Sequence, residues 1–305
     1  MARTTGWWHV SAMTLEQLKI FIAVAERQHI TRAAQALALT QSAVSASIAA
    51  LEARHGTKLF DRVGRGITLT TAGELFLPEA RAVLARAATA EQTLSELAGL
   101  KRGTLSVQAS QTIASYWLPR HLVAFRRAHP GIEIRLAIGN TTQVAHAVTA
   151  GEAELGFVEG AVADGMLISK RVARDQLMIV VAPNHPWATG NRITAADLAA
   201  GEWVLREPGS GTRSEFEHAM EIFGVPAREL RVALELPSNE AVRAAVEAGL
   251  GATAVSASVA APSLEAGLLQ PVNVPLPERD FHVVYHRERS LSRACLAFFN
   301  LIDCL

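Results

Sequence analysis

The sequence predicts an α/β protein in three parts: a small helical head ending in a two-stranded wing, one long helix, and a two-lobed α/β body. Three observations predict it. Short capped helical segments with alanines at inward positions crowd residues 13–55. A stretch rich in Ala, Leu, Glu and Arg runs unbroken over 71–100. From Gly103 onward, apolar strand-like runs alternate with helical ones. With 305 residues, half of them hydrophobic and 19% charged, the composition is that of a globular chain of two or three domains.

The formal net charge is zero, but its distribution is uneven. Residues 13–70 hold seven cations (Lys19, Arg27, Arg32, Arg54, Lys58, Arg62, Arg65) and four acids (Glu16, Glu26, Glu52, Asp61), a net of +3 that leaves −3 on the remainder. A basic head on a mildly acidic body suits a polyanion partner such as double-stranded DNA. The two cysteines, Cys295 and Cys304, form no disulfide framework and no CxxC pair, which points to a reducing cytoplasm. No apolar run reaches the roughly 20 residues of a membrane span. Residues 1–12, with Arg3, Trp7 and Trp8, lack a signal-peptide pattern and are expected to be a disordered extension.

In the head, Thr14 and Gln17 form a capping box, and Leu15, Leu18, Phe21, Ile22 and Ala25 make the stripe of a first helix ending near Gln28. Thr31 is expected to cap a second helix with Ala33, Ala34 and Leu37 inward. Thr40 caps a third, with Val44, Ile48 and Leu51 inward and Gly56 as its stop. Small alanines let these two helices cross closely, as a helix-turn-helix requires. The third helix then shows solvent Gln41, Ser42, Ser45 and Ser47, with no Lys or Arg from Thr40 to Glu52. Neutral side chains would read base edges, while cations nearby (Arg32, Lys58, Arg62, Arg65) hold phosphates. Alternating apolar residues around Gly64 and Gly66 outline the wing over 57–70, where three of those cations cluster.

Ala33-Ala34-Gln35-Ala36-Leu37, Gln41-Ser42-Ala43-Val44-Ser45, Ile48, Leu51-Glu52, Gly56, Leu59-Phe60, Arg62, Arg65, Leu69-Thr70 and Ala72-Gly73 together resemble the winged helix-turn-helix head of LysR-type transcriptional regulators. The resemblance implies a DNA-binding head over 13–70, with Gln41, Ser42, Ser45, Arg62 and Arg65 at the duplex. Many members carry a longer polar or basic residue where Ala46 or Ser47 stands.

Thr71 and Glu74 are expected to open the long helix, whose Ala80, Val83, Leu84, Ala87, Ala90, Leu94 and Leu97 fall on one seam. About 28 residues give a rod of roughly 40 Å, with a kink expected at Pro78. The resemblance makes residues 71–102 a dimerising linker helix that sets two heads on a near-palindromic promoter site, with the family's homotetramer as the full assembly.

In the body, strands are predicted at Leu105–Val107, Ile132–Ile138, Leu155–Val158, Leu177–Val181, Trp203–Leu205, Val232–Leu236, Ala252–Val255 and Phe281–Tyr285. A change of chain direction is expected near Lys170–Arg174. The βαβ rhythm implies parallel strands, and the resemblance implies a periplasmic-binding-protein-like effector-binding domain over 103–305. Its lobes are placed at 103–173 with 278–305, and at 174–277.

Ligands in such sheets bind beyond the carboxyl ends of strands, at helix N-termini. Ser110, Gln111 and Thr112, then Asn140 and Thr141, then Glu159, then Ser210, Gly211, Thr212 and Arg213 fall at those places. Each hydroxyl alone also fits a plain helix cap; their convergence after successive strands favours a shared pocket for a small anionic effector. Glu159 would favour a ligand bringing a proton or hydroxyl, or would pair with Arg213 in the empty pocket. The phrases Gly139-Asn140-Thr141 and Glu207–Arg213 look most like LysR-type members tied to carbon fixation or sulfur-oxyanion metabolism. They imply an inorganic oxyanion or a phosphorylated or carboxylated metabolite.

Enzyme signals are poor. Gly209-Ser210-Gly211 is neither a P-loop nor a nucleophile elbow, Gly249-Leu250-Gly251 follows a helix, and the ten histidines show no metal-ligand spacing. No cofactor, no metal and no catalytic residue is therefore expected. The leading function is an effector-responsive transcriptional regulator. The alternative is a solute-binding protein or enzyme on the same body, carrying a helical oligomerisation arm.

Overall fold

The computed structural model of the chain describes residues 13–63, 66–97, 103–160, 162 and 164–303. Arg65, Cys304 and the leading twelve residues, all named above, lie outside them. The chain divides into two compact units, Met1–Gln92 and Thr93–Leu305.

The first unit is built from α1 (Leu15–Arg27), α2 (Ile30–Ala36), α3 (Gln41–His55), β1 (Phe60–Val63), β2 (Gly66–Leu69) and most of α4 (Thr71–Leu97). Both halves of the Thr14–Gln17 capping box form, and Gln28 closes α1 in the left-handed region. Leu18, Phe21 and Val24 are buried, whereas Leu15, expected on the stripe, is exposed. It is the first helical residue of α1. Helix α2 starts two residues earlier than expected. His29 is its extended cap residue, with its carbonyl taking the Ala33 N–H, so Thr31 lies inside the helix and caps nothing. Ala38, at φ 55°, turns the chain into α3, where Thr40 accepts the Ala43 N–H as expected. Ala33, Ala34, Val44, Ile48 and Leu51 are buried together around Phe21, whose ring meets Phe60 and Phe76.

Helix α4 begins under Thr70, not Thr71: the Thr70 hydroxyl accepts the Gly73 N–H at 3.0 Å. Gly73 is needed there, because a Cβ would stand 2.2 Å from the Leu59 carbonyl oxygen. The helix runs on through Pro78. Ala80 and Leu84, expected on a coiled-coil seam, instead pack into the head core, while Leu75 and Val83 stay exposed. The first half of the rod is thus part of the head.

The second unit holds β3 (Gly103–Ser110), α5 (Leu118–Ala128), β4 (Ile132–Gly139), α6 (Thr141–Ala150), β5 (Leu155–Glu159) and β6 (Leu167–Val181). There follow α7 (Ala195–Ala200), β7 (Glu202–Arg206), α8 (Gly211–Ile222), β8 (Arg231–Leu236), α9 (Asn239–Glu247) and β9 (Ala252–Ser256). The unit closes with α10 (Ala257–Glu265), β10 (Gln270–Pro271), β11 (Glu278–His286) and α11 (Arg293–Asp303). A π-helical turn, Ile113–Trp117, leads into α5. Among the described residues the strands run β4-β3-β5-β11-β6-β9-β7-β8, with β10 on β6. Pairing is parallel in β4-β3-β5 and in β9-β7-β8, and antiparallel where β11 and β6 join the two halves.

Strand β6 is one continuous element. The turn expected near 170–174 is a bulge: Ala173 pairs with Phe281 and Arg171 with His282, leaving Val172 between them. A bulge adds twist without ending the strand, so one strand serves both halves. Trp117, Phe125, Phe157 and Phe298 fill the core of one half, and Trp203, Phe216 and Met220 that of the other. No single helix among the described residues is long and apolar enough to cross a membrane.

Candidate functional site

The head presents one candidate surface. On α3 the inward residues leave Gln41, Ser42 and Ser45 exposed, with Ser47 half-buried. Arg32 and Arg62 are exposed, and Ser42 Oγ lies 3.1 Å from the capping Thr40 hydroxyl. The wing is antiparallel, with Arg62 opposite Ile67 and Val63 opposite Gly66. Its second strand is tied to α1, since the Ile67 N–H donates to the Gln28 carbonyl at 3.4 Å. Lys58 is exposed but not unengaged. Its Nζ donates to Glu52 Oε2 at 2.7 Å, and Glu52 Oε1 accepts the Leu59 N–H at 2.8 Å and the Phe60 N–H at 3.2 Å. Burial pushes the Glu52 carboxyl up, but Lys58 and the two N–H groups outweigh it and hold the group below its ordinary value.

The second unit gathers polar side chains where strands end. Ser110 closes β3, Asn140 follows β4, Glu159 closes β5, Arg206 closes β7, and Asn239 opens α9 after β8. Asn140 caps α6 reciprocally with Gln143 and donates Nδ2 to Glu207 Oε1 at 3.2 Å. The Thr142 N–H reaches the Gly209 carbonyl at 3.2 Å. Gln111 accepts the Asn239 N–H and donates to Glu240, both at 2.7 Å, and Thr112 Oγ1 accepts Asn239 Nδ2 at 3.0 Å. Thr141 donates to Glu159 Oε2 at 3.4 Å. A Cβ on Gly211 would stand 2.5 Å from Thr141 Oγ1 and 2.8 Å from Glu159 Oε2, so the start of α8 lies against both. Ser210, at the cap position of α8, is buried but makes no side-chain cap bond.

Arg213 departs from expectation. Its Nε pairs with Glu217 at 2.7 Å, and its Nη1 with the Arg206 carbonyl and Glu235. The expected pairing with Glu159 does not form: the turn of α8 carries the guanidinium toward Glu217, its i+4 neighbour, and β8. Two other arginines bring charge to the strand ends. Arg206 is buried, with Nε 2.8 Å and Nη2 3.0 Å from the Glu207 carboxylate and Nη1 2.8 Å from Asn239 Oδ1. Arg279, on β11, is 2% exposed. Its Nε donates to Asp175 Oδ2 at 2.8 Å and its Nη1 to Thr212 Oγ1 at 3.0 Å. Its Nη2 lies 2.7 Å from the same Asp175 oxygen but outside hydrogen-bond geometry. Ser110 Oγ is likewise buried with no hydrogen-bond partner among the described residues. Arg206, Asn239 and Arg279 were not singled out from the sequence, and Glu207 was named only as the first residue of the 207–213 stretch, not as a site residue. The cue that was there is the position of Arg206 and Glu207 at the end of a strand.

The chain matches two family models: "Bacterial regulatory helix-turn-helix protein, lysR family" over residues 15–74 and "LysR substrate binding domain" over 98–304. It is 38% identical over 293 residues, 95% of this chain and 97% of the relative, to the uncharacterized HTH-type transcriptional regulator YeiE of Escherichia coli K12. It is 34% identical to the RuBisCO operon transcriptional regulator of Allochromatium vinosum, over 96% of each chain. Among solved structures it is similar to full-length CbnR complexed with its target DNA, with a TM-score of 0.70, 26% identity, and coverage of 96% of this chain and 99% of that one. It is also similar to the regulatory domain of CcmR from Synechocystis PCC6803 in complex with 2-PG. There the TM-score is 0.60 at 25% identity, over 67% of this chain and 97% of that one.

Proposed function

Since the chain belongs to the LysR family of transcriptional regulators, a DNA-binding head on an effector-binding domain, we propose how this member divides those two tasks. On the head, Gln41, Ser42, Ser45 and Ser47 read base edges, while Arg32, Lys58, Arg62 and Arg65 hold phosphates of a near-palindromic promoter site. Two heads are paired through the linker helix, in a homodimer that doubles into a homotetramer. Such a regulator works in the cytoplasm, where the chromosome is.

The effector is a small oxyanion, inorganic or carried on a phosphorylated or carboxylated metabolite. It occupies the cleft formed by Ser110, Gln111, Thr112, Asn140, Thr141, Glu159, Ser210, Gly211 and Thr212, with Arg206 and Arg279 in place of Arg213 as the sources of positive charge. Its occupancy alters how the head engages DNA. One observation carries this reading: the Ser110 hydroxyl is buried at the end of β3 without a hydrogen-bond partner among the described residues, and a buried donor left unmade costs about 1–3 kcal/mol. A ligand oxygen supplies the missing acceptor. The 2-PG bound in the similar CcmR regulatory domain belongs to the same ligand chemistry.

Thermal unfolding with sulfite, sulfate, phosphate and sugar phosphates tests it. At least one should raise the melting temperature, and Ser110→Ala and Asn140→Ala should abolish that rise. A rise unchanged in both variants would place the effector elsewhere.

A further inference from the structure

Glu52 sits on the recognition helix, yet its carboxylate points back toward the wing. Its two oxygens have separate tasks. Oε1 accepts two successive N–H groups, Leu59 and Phe60, at the entry to β1. Among the described residues, Oε2 takes only the Lys58 ammonium, at 2.7 Å. The Glu52 side chain is 8% exposed and that of Lys58 77%, so a buried carboxylate anchors a cation that stands in solvent. Both line a groove of about 420 Å³ between α3 and the wing, together with Ser45, Ala49, Asp61 and Arg62. A helix in one DNA groove and a wing in the next leave one sugar-phosphate ridge between them, and this groove is where that ridge would lie.

We propose that Glu52 is a positioning residue for DNA discrimination: it holds the Lys58 ammonium until a correctly seated phosphate ridge draws it away, while fixing the wing against the recognition helix. Lys58 is then engaged in the free head and adds little to loose, sequence-independent association. It contributes in full only when a phosphate enters the groove deeply enough to replace the carboxylate. This rests on the reading that Lys58 and Arg62 face DNA.

Glu52→Gln separates the two tasks. The amide oxygen can keep both backbone N–H groups, while the NH2 cannot accept from Lys58. Binding of the full-length variants is measured against duplexes selected from a random pool and against unselected duplexes, over a salt series. Glu52→Gln should tighten unselected binding threefold to tenfold and steepen the log K against log salt slope by about 0.9, one phosphate's worth. Selected binding should change less, so discrimination falls. Adding Lys58→Met to Glu52→Gln should return the slope to that of the wild type. In the wild-type background, Lys58→Met should leave the unselected slope unchanged but weaken selected binding about fivefold, a test that needs no change at Glu52. An unselected slope that does not move in Glu52→Gln, or that falls by a full unit in Lys58→Met alone, would overturn the proposal. If Arg62→Ala leaves every affinity untouched, the DNA-facing reading fails instead.

Discussion

Arg206 and Glu207 are consecutive on the chain and face each other as a bidentate pair, Nε to Oε2 at 2.8 Å and Nη2 to Oε1 at 3.0 Å. The third guanidinium nitrogen reaches Asn239 at 2.8 Å, and the carboxylate also takes Asn140 Nδ2 at 3.2 Å. One ion pair thereby links the ends of β4 and β7 with the start of α9, the segments at which the candidate effector cleft is built.

Glu207 places a negative charge where an oxyanion is expected. Glu207→Gln should therefore lower the sulfate or phosphate concentration giving half-maximal thermal stabilisation by threefold to tenfold, about 0.7–1.4 kcal/mol. Arg206→Ala should abolish that stabilisation. It should also destabilise the body by about 2–3 kcal/mol in urea unfolding, since Asn239 and Glu207 lose a charged partner. Stabilisation by sulfate unchanged in Arg206→Ala would contradict this role.

The pH dependence follows from the same pair. Burial pushes the Glu207 carboxyl up, but the hydrogen bond and charge of Arg206, with Asn140, hold it below the ordinary value near 4.5. A depressed carboxyl adds stability that is present above its unfolded value and is lost as pH falls through its folded one. The unfolding free energies of wild type and Glu207→Gln should differ at pH 7 and converge as pH falls below the ordinary carboxyl value and the carboxylate protonates. A gap that widens on acidification would contradict the assignment.

Gly73 tests the seat of the long helix. Gly73→Ala drives a methyl into the Leu59 carbonyl at 2.2 Å, whereas Gly56, also in the head, has open space around it. Gly56→Ala meets only the left-handed strain of φ 61°. Hydrogen exchange over 59–80 should accelerate strongly in Gly73→Ala, for a loss of about 2–3 kcal/mol, and by about 1 kcal/mol in Gly56→Ala. Equal protection in both variants would mean that the Leu59 contact is not tight.

Much of the head was legible because its signals are local. Thr14 with Gln17, Thr40, Gly56 and the spacing of Val44, Ile48 and Leu51 each act within a turn or two of helix. The same locality explains the misses. Thr31 has cap chemistry, yet the extended backbone at His29 starts the helix first. Ala80 and Leu84 lie on a seam-like spacing that does not say whether the partner is a second helix or the chain's own head. In the body, strand positions followed from apolar runs, but the continuity of β6 depends on β11, about a hundred residues away. Arg279 reads as one more charge on a strand. Only the pairing with Asp175 and Thr212, far off in sequence, makes it a buried group at the cleft.

The central claim, that neutral groups on α3 select bases while neighbouring cations hold phosphates, is tested most directly by the salt dependence of DNA binding in two variants. Arg62→Ala should weaken selected and unselected duplexes alike and make the slope shallower by about one. Gln41→Ala should cost about 1–3 kcal/mol on the selected duplex and leave unselected binding and the slope unchanged. The opposite pattern would contradict the account: Gln41→Ala weakening every duplex equally, with Arg62→Ala altering neither affinity nor slope.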